Sequence, residues 1–199
     1  MRNYQYDEDS AKQAGVSSFI DATGKYIGKF VMAEAITSKK GTEGIEFSFE
    51  SDDGRTANFL QCWTYNADGE PLYGLKMLNA ILCCARLKTM TPKEQMVQGK
   101  DGQRKATVFP GIIDRRIGLL LQREEYQKDN GDVGYKFNIY APFHADTELM
   151  ASELIEGKTE PQALAKALAG LADKPMQTRK RTSQPARQSE NPADDVWGE

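Results

Sequence analysis

The sequence is poor in the side chains that carry catalysis. It has one histidine, His144, and three cysteines, Cys62, Cys83 and Cys84, in 199 residues. A lone histidine has no second imidazole to share a metal, and in "APFHADTE" it reads as a loop residue. No CxxC pair suggests zinc, and adjacent cysteines rarely bridge one another. Reduced, mostly buried thiols are expected, as in a cytosolic protein. P-loop, GxGxxG and HExxH patterns are all missing. The carboxylates of "SDD" at 51–53 and "REE" at 123–125 would suit metal-assisted phosphodiester cleavage. They fall at turns or on polar strand faces, where solvated charge is the ordinary content. The sequence therefore predicts no enzyme, no catalytic residue, no metal site and no cofactor.

Long apolar runs are lacking too. No stretch approaches the roughly 18 apolar residues of a membrane-spanning helix. The first residues, "MRNYQYDEDSAKQAG", are acidic and have no apolar segment of the secretory kind. A cytoplasmic protein with no membrane partner is expected.

Net charge is −3, which at first argues against a nucleic-acid partner. Its distribution matters more than its sum. With Asp7, Glu8, Asp9, Glu190, Asp194, Asp195, Glu199 and Arg2 set aside, 26 basic and 29 acidic residues become 25 and 22. The acid sits at the two ends, so the body can carry a basic groove.

Three early segments alternate with period two and are rich in aromatic and β-branched residues, the signature of half-buried strands. "GKYIGKFVMAEAIT" sets Tyr26, Phe30 and Met32 against Ile27, Lys29 and Val31. "GIEFSFES" sets Ile45, Phe47 and Phe49 against Glu46, Ser48 and Glu50. "RTANFLQCWTY" sets Phe59, Trp63 and Tyr65 opposite Leu60 and Cys62. The connectors "SKKGTEG" and "SDDGR" are glycine-bearing turns of hairpin length. An antiparallel meander follows from this pattern.

In "PLYGLKMLNAILCCARLK" the period changes. Leu72, Leu75, Leu78, Leu82 and Ala85 recur at helical spacing behind a proline. "TPKEQMVQGKDGQRKA" reads as an exposed loop. Two further strands, "RIGLLLQREEYQ" and "YKFNIYAPF", flank the turn "KDNGDVG". "TELMASELIEG" and "TEPQALAKALAGLA" read as short helices, the second capped by Thr159. From Lys174 onward periodicity stops and disorder is expected.

The predicted fold is therefore mainly β. It is a five-stranded antiparallel barrel like the OB-fold, with a helix between strands 3 and 4, then short helices and a disordered tail. The predicted boundaries are an acidic N-terminus at 1–18, the barrel at 19–145, helices at 146–173 and the tail at 174–199.

What is abundant is aromatics beside cations. The candidates are Lys25, Tyr26, Lys29, Phe30, Arg55, Phe59, Trp63, Tyr65, Tyr135, Lys136 and Phe137. Lys39 and Lys40 at a hairpin tip and Arg115 and Arg116 after "PGIID" add charge. Single-stranded nucleic acid calls for this pairing, because cations track phosphates while rings stack on unpaired bases. The C-terminal "ENPADDVWGE" sets Asp194 and Asp195 beside Val196 and Trp197. Such a tip can dock a partner's apolar hole with a basic rim.

The stretch from "GKYIGKF" through "SKKGTEGIEFSFES" to "LYGLKMLNAIL", roughly residues 20–90, resembles the small bacteriophage single-stranded-DNA-binding proteins. The likeness lies in a lysine-flanked first strand, a "KKGTEGIEF" hairpin and an "LxxLNA" helix. It implies non-catalytic protection of single-stranded DNA during phage replication or recombination, in the host cytoplasm. It also implies an acidic tail, Asp194, Asp195, Val196 and Trp197, that recruits replication or recombination proteins. Such tails usually end on an apolar residue, whereas this one ends on Gly198 and Glu199. An edge strand of the barrel could pair across a two-fold axis to give a homodimer. The alternative reading is a protein-interaction adaptor that binds no nucleic acid.

Overall fold

The computed structural model describes residues 2–8, 11, 17–99 and 102–176. Among these, the longest strand is β1 (Gly24–Thr37), around which the sheet is organised. Tyr26, Gly28 and Phe30 point into the core from β1. A bulge between Phe30 and Met32 then reverses the parity. Ala33 takes the next core position. Met32, expected on the Tyr26–Phe30 face, packs instead on a small cluster of Val97, Ala106 and Val108.

The meander continues through β2 (Glu43–Ser51) and β3 (Thr56–Tyr65), both antiparallel. Phe30 of β1 and Phe47 and Phe49 of β2 are fully buried in the core. Their ring centroids lie 4.6 and 6.0 Å from Phe30. Tilted and edge-on pairs of this kind add about 0.5–1.5 kcal/mol beyond the area they bury.

Helix α1 (Tyr73–Cys84) lies against β3. Gly74 makes the close approach possible: a Cβ there would sit 2.0 Å from the Trp63 carbonyl oxygen. The helix turns Ile81 and Cys84 fully inward, with Met77 partly buried against the same core. Of the expected line, Ala85 is buried in that core and Leu78 packs partly against it, whereas Leu75 and Leu82 border a separate cleft. Burial raises the thiol of Cys62 to about 11 and that of Cys84 to about 12. All three cysteines are free.

The segment expected as an exposed loop is a hairpin, β4 (Lys93–Gly99) and β5 (Gly102–Val108), paired from Lys93↔Val108 to Gly99↔Gly102. Most of its side chains face water on both sides, so the apolar alternation that marks a strand is nearly absent. Among its described residues only Val97, Ala106 and Val108 are buried. It joins β1 at Glu34↔Val108, beside a two-pronged hydrogen bond from Arg104 to the Glu34 carboxylate.

After a short 3₁₀ turn at Pro110–Ile112, β6 (Arg116–Gln127) pairs with the first half of β1 and with β7 (Val133–Phe143). The result is a mainly β fold with, among the described residues, an antiparallel sheet of seven strands, not five. β3 and β7 approach each other without sharing a ladder, so the sheet does not close.

Two short helices follow, α2 (Ala151–Ile155) and α3 (Ala163–Ala169). Thr159 does not cap α3, whose N-cap is Gln162. Buried Glu153 does that work from a distance, accepting the N–H groups of Ala163, Met150 and Gln162 at 2.8, 3.0 and 2.8 Å. Those donors hold its carboxyl below the usual range. Lys174, placed by sequence in the tail, bridges to Glu124, donating its N–H to the Arg123 carbonyl at 2.8 Å. No helix among the described residues is long and apolar enough to cross a membrane.

Candidate nucleic-acid interface

The open seam between β3 and β7 forms a cleft of about 550 Å³. Its β3 wall is shaped by an irregularity in the ladder. Phe47 pairs with Leu60 and Phe49 with Ala57, so Asn58 and Phe59 share a bulge opposite Ser48. Phe59 adopts φ +60° there, and its ring is 72% exposed. A non-glycine residue in the left-handed region costs on the order of 1–3 kcal/mol. No burial of its ring offsets that cost. Phe59 is thus a strained residue whose aromatic side chain is presented to the cleft.

Phe19 stands beside it, 55% exposed, held by a parallel bridge to Thr56 and by Ile20 N–H donating to the Thr56 carbonyl at 2.8 Å. The opposite wall comes from the β6–β7 hairpin. Tyr126, 42% exposed, lies across Gly134, where a Cβ would come within 2.8 Å of its ring. Tyr135, 48% exposed, meets the buried Phe137 edge-on at 6.0 Å. The Arg123 guanidinium covers the Tyr135 ring at 4.7 Å. Lys136, Asn58 and Gln61 supply polar groups at the rim.

Lys136 is not a free cation. Its Nζ lies 3.7 Å from Glu124, and Lys174 reaches the same carboxylate at 3.2 Å. Burial alone would raise the Glu124 pKa. Asn138, Lys174 and Lys136 together hold it below the usual range.

Of the residues predicted to bind, Phe59, Tyr135, Lys136 and Phe137 meet in this cleft. Tyr26 and Phe30 do not, because inward alternation on β1 buries both. The Tyr26 hydroxyl donates to the Ala22 carbonyl at 2.8 Å, and burial raises its pKa. Arg55 covers its ring at 5.4 Å and is clamped by Asp53 at 2.7 Å. Hydrogen bonds from Arg55 and Ser51 lower the Asp53 pKa to about 2.

The cations of β1 and of the start of β6 are paired as well. Lys25 meets Glu148 at 2.7 Å and Lys29 meets Asp114 at 2.9 Å. Arg116 spans Asp52 at 2.7 Å and Asp146 at 3.3 Å. Trp63 is half-buried, its backbone against Gly74 of α1 and its ring beside Gly44 of β2, and Tyr65 lines the second cleft, about 510 Å³, with Leu75, Leu82 and Phe109. Lys39, Lys40 and Arg115 are exposed and without ion-pair partners among the described residues. The pairing Glu43↔Tyr65 puts Lys39 and Lys40 at the end of β3 away from Phe59. Arg115 precedes β6 at the end away from Tyr126. The tail residues Asp194, Asp195, Val196 and Trp197 lie outside the described residues.

Sequence reasoning missed Phe19, Tyr126, Asn58 and Gln61, which line the cleft. Tyr126 was within reach, since pairing the strands across "KDNGDVG" brings it beside Tyr135 at the hairpin tip. Phe19 precedes any alternating pattern and gives no such signal. Neither a protein-family model nor a curated protein sequence matches this chain.

Proposed function

We propose that the protein binds single-stranded DNA without sequence preference, seating unpaired bases in the cleft between β3 and β7. The observation that carries this reading is Phe59, a strained and exposed ring facing Tyr126 and Tyr135 across an open seam. Base stacking on such rings contributes about 1–3 kcal/mol per base and tolerates any sequence. The strand order supports the same reading. A β1–β2–β3 meander, a helix, then β6 beside β1 and β7 beside β6 is an OB-fold-like arrangement, with β4 and β5 as an inserted hairpin.

The role is non-catalytic cover of single strands in replication or recombination, as in the phage proteins that residues 20–90 resemble. Asp194, Asp195, Val196 and Trp197 then recruit replication or recombination partners, on the chemistry of an apolar ring among carboxylates.

One observation favours the rival adaptor reading. Lys25, Lys29, Arg55 and Arg116 are paired within the protein, which lowers the charge on offer to phosphates. The same cleft would then take apolar side chains of a peptide.

A salt titration of labelled oligo-dT against the full chain separates the two. DNA binding predicts an affinity that falls linearly in log–log form, by about 0.7 per phosphate neutralised. No binding at low salt would remove the DNA reading and leave the adaptor. A chain ending at Ser189 that binds equally well assigns the tail to a partner; tighter binding assigns it to competition for the cleft.

A further inference from the structure

Arg123 is the one residue among those described with a buried side-chain polar atom that lacks a hydrogen-bond partner, its Nε. Its guanidinium makes no ion pair among the described residues either. The adjacent Glu124 is taken by Lys136 and Lys174, and Glu125 does not reach it. A protein rarely leaves a buried donor unsatisfied, and each instance calls for an account.

Position supplies one. Arg123 sits directly opposite Phe137 in the β6–β7 ladder, so both side chains leave the same face of the sheet. Phe137 is part of the cleft lining, and Tyr135, a wall of the cleft, stacks on the guanidinium at 4.7 Å. The cations of β1 and the start of β6 are consumed by carboxylates, whereas this one lies over an aromatic ring, 4.7 Å from its centroid, and has no carboxylate partner among the described residues.

We infer that Arg123 is the phosphate anchor of the cleft. It binds one backbone phosphate of the strand whose bases stack on Phe59 and the tyrosines. The inference rests on the single-strand-binding reading and adds a named anion subsite to it. A guanidinium suits the task because its fork of donors matches phosphate oxygens, and the contact with the Tyr135 ring holds the group beside the cleft before the ligand arrives.

The test uses the full chain and labelled oligo-dT over a range of salt. Arg123→Ala should weaken binding about tenfold or more at low salt and reduce the salt slope by about 0.7. Arg123→Lys should keep the wild-type slope at a lower affinity, since it retains charge but loses the fork. If Arg123→Ala fails to fold, Arg123→Gln decides. A reduced slope supports the anchor; an unchanged slope overturns it. Wild-type affinity and slope in Arg123→Ala, with the wild type still binding, would overturn the anchor and leave the cleft reading intact. No binding by the wild type itself would overturn both.

Discussion

The two flanks of the β1–β6 region use the same residue types for opposite ends. On the flank of Lys25, Lys29 and Arg116, each cation is closed by Glu148, Asp114, or Asp52 and Asp146. Its aromatics, Tyr26 and Phe30, are buried. On the seam flank, Phe19, Phe59, Tyr126 and Tyr135 stay exposed and Arg123 has no ion-pair partner among the described residues. Charge and aromaticity alone therefore do not locate a binding face. What distinguishes the seam is that four of its rings stay exposed and Arg123 lacks a carboxylate partner among the described residues, although Lys136 is paired with Glu124.

The largest effect is expected from Phe30→Ala, which should cost about 3–5 kcal/mol of stability in chemical denaturation, as for a large ring removed from a packed core. Phe59→Asn should do the reverse. The ring is exposed and asparagine tolerates the left-handed region, so stability should hold or rise by up to about 1 kcal/mol. Oligo-dT affinity should still fall by about 1–3 kcal/mol. A Phe59→Asn variant that melts early while binding normally would erase the contrast between the flanks.

A smaller effect concerns acid. The Asp53 pKa is lowered from 3.8 to about 2, so the unfolded chain takes up this proton first as pH falls. The contribution of the Asp53–Arg55 pair is present in full above about pH 4 and is lost as pH drops through about 2. Asp53→Asn should flatten the stability slope in that window, read from denaturant midpoints. The side chain is half exposed, and solvent screening keeps the effect modest.

Least of all is expected from Lys29→Gln and Arg116→Gln. Both residues are exposed and already paired, so oligo-dT affinity should stay within about threefold of wild type in the same titration. A large loss would mean that the ion pairs open to receive DNA.

Much of the fold was legible in the sequence because its core strands alternate cleanly. Phe47, Phe49 and Leu60 announce β2 and β3, and the turns between them carry glycine. The β4–β5 hairpin was hidden because its strands are nearly all polar, so no apolar face marks them. The site was less legible. Alternation says which residues share a face, but a bulge shifts the parity, as at Met32 and at Phe59, and no local pattern announces a bulge. Arg123 was seen only as part of a charged strand end; its isolation from carboxylates depends on which neighbour Lys136 and Lys174 choose.

The most direct measurement is labelled oligo-dT binding by the wild type and by a Phe59→Ala, Tyr135→Ala double variant at one moderate salt concentration, with thermal melting as a check on folding. One stacking ring lost from each wall predicts a folded variant whose affinity drops by about a hundredfold or more. Equal binding by the two proteins would show that the seam between β3 and β7 is not where the strand lies.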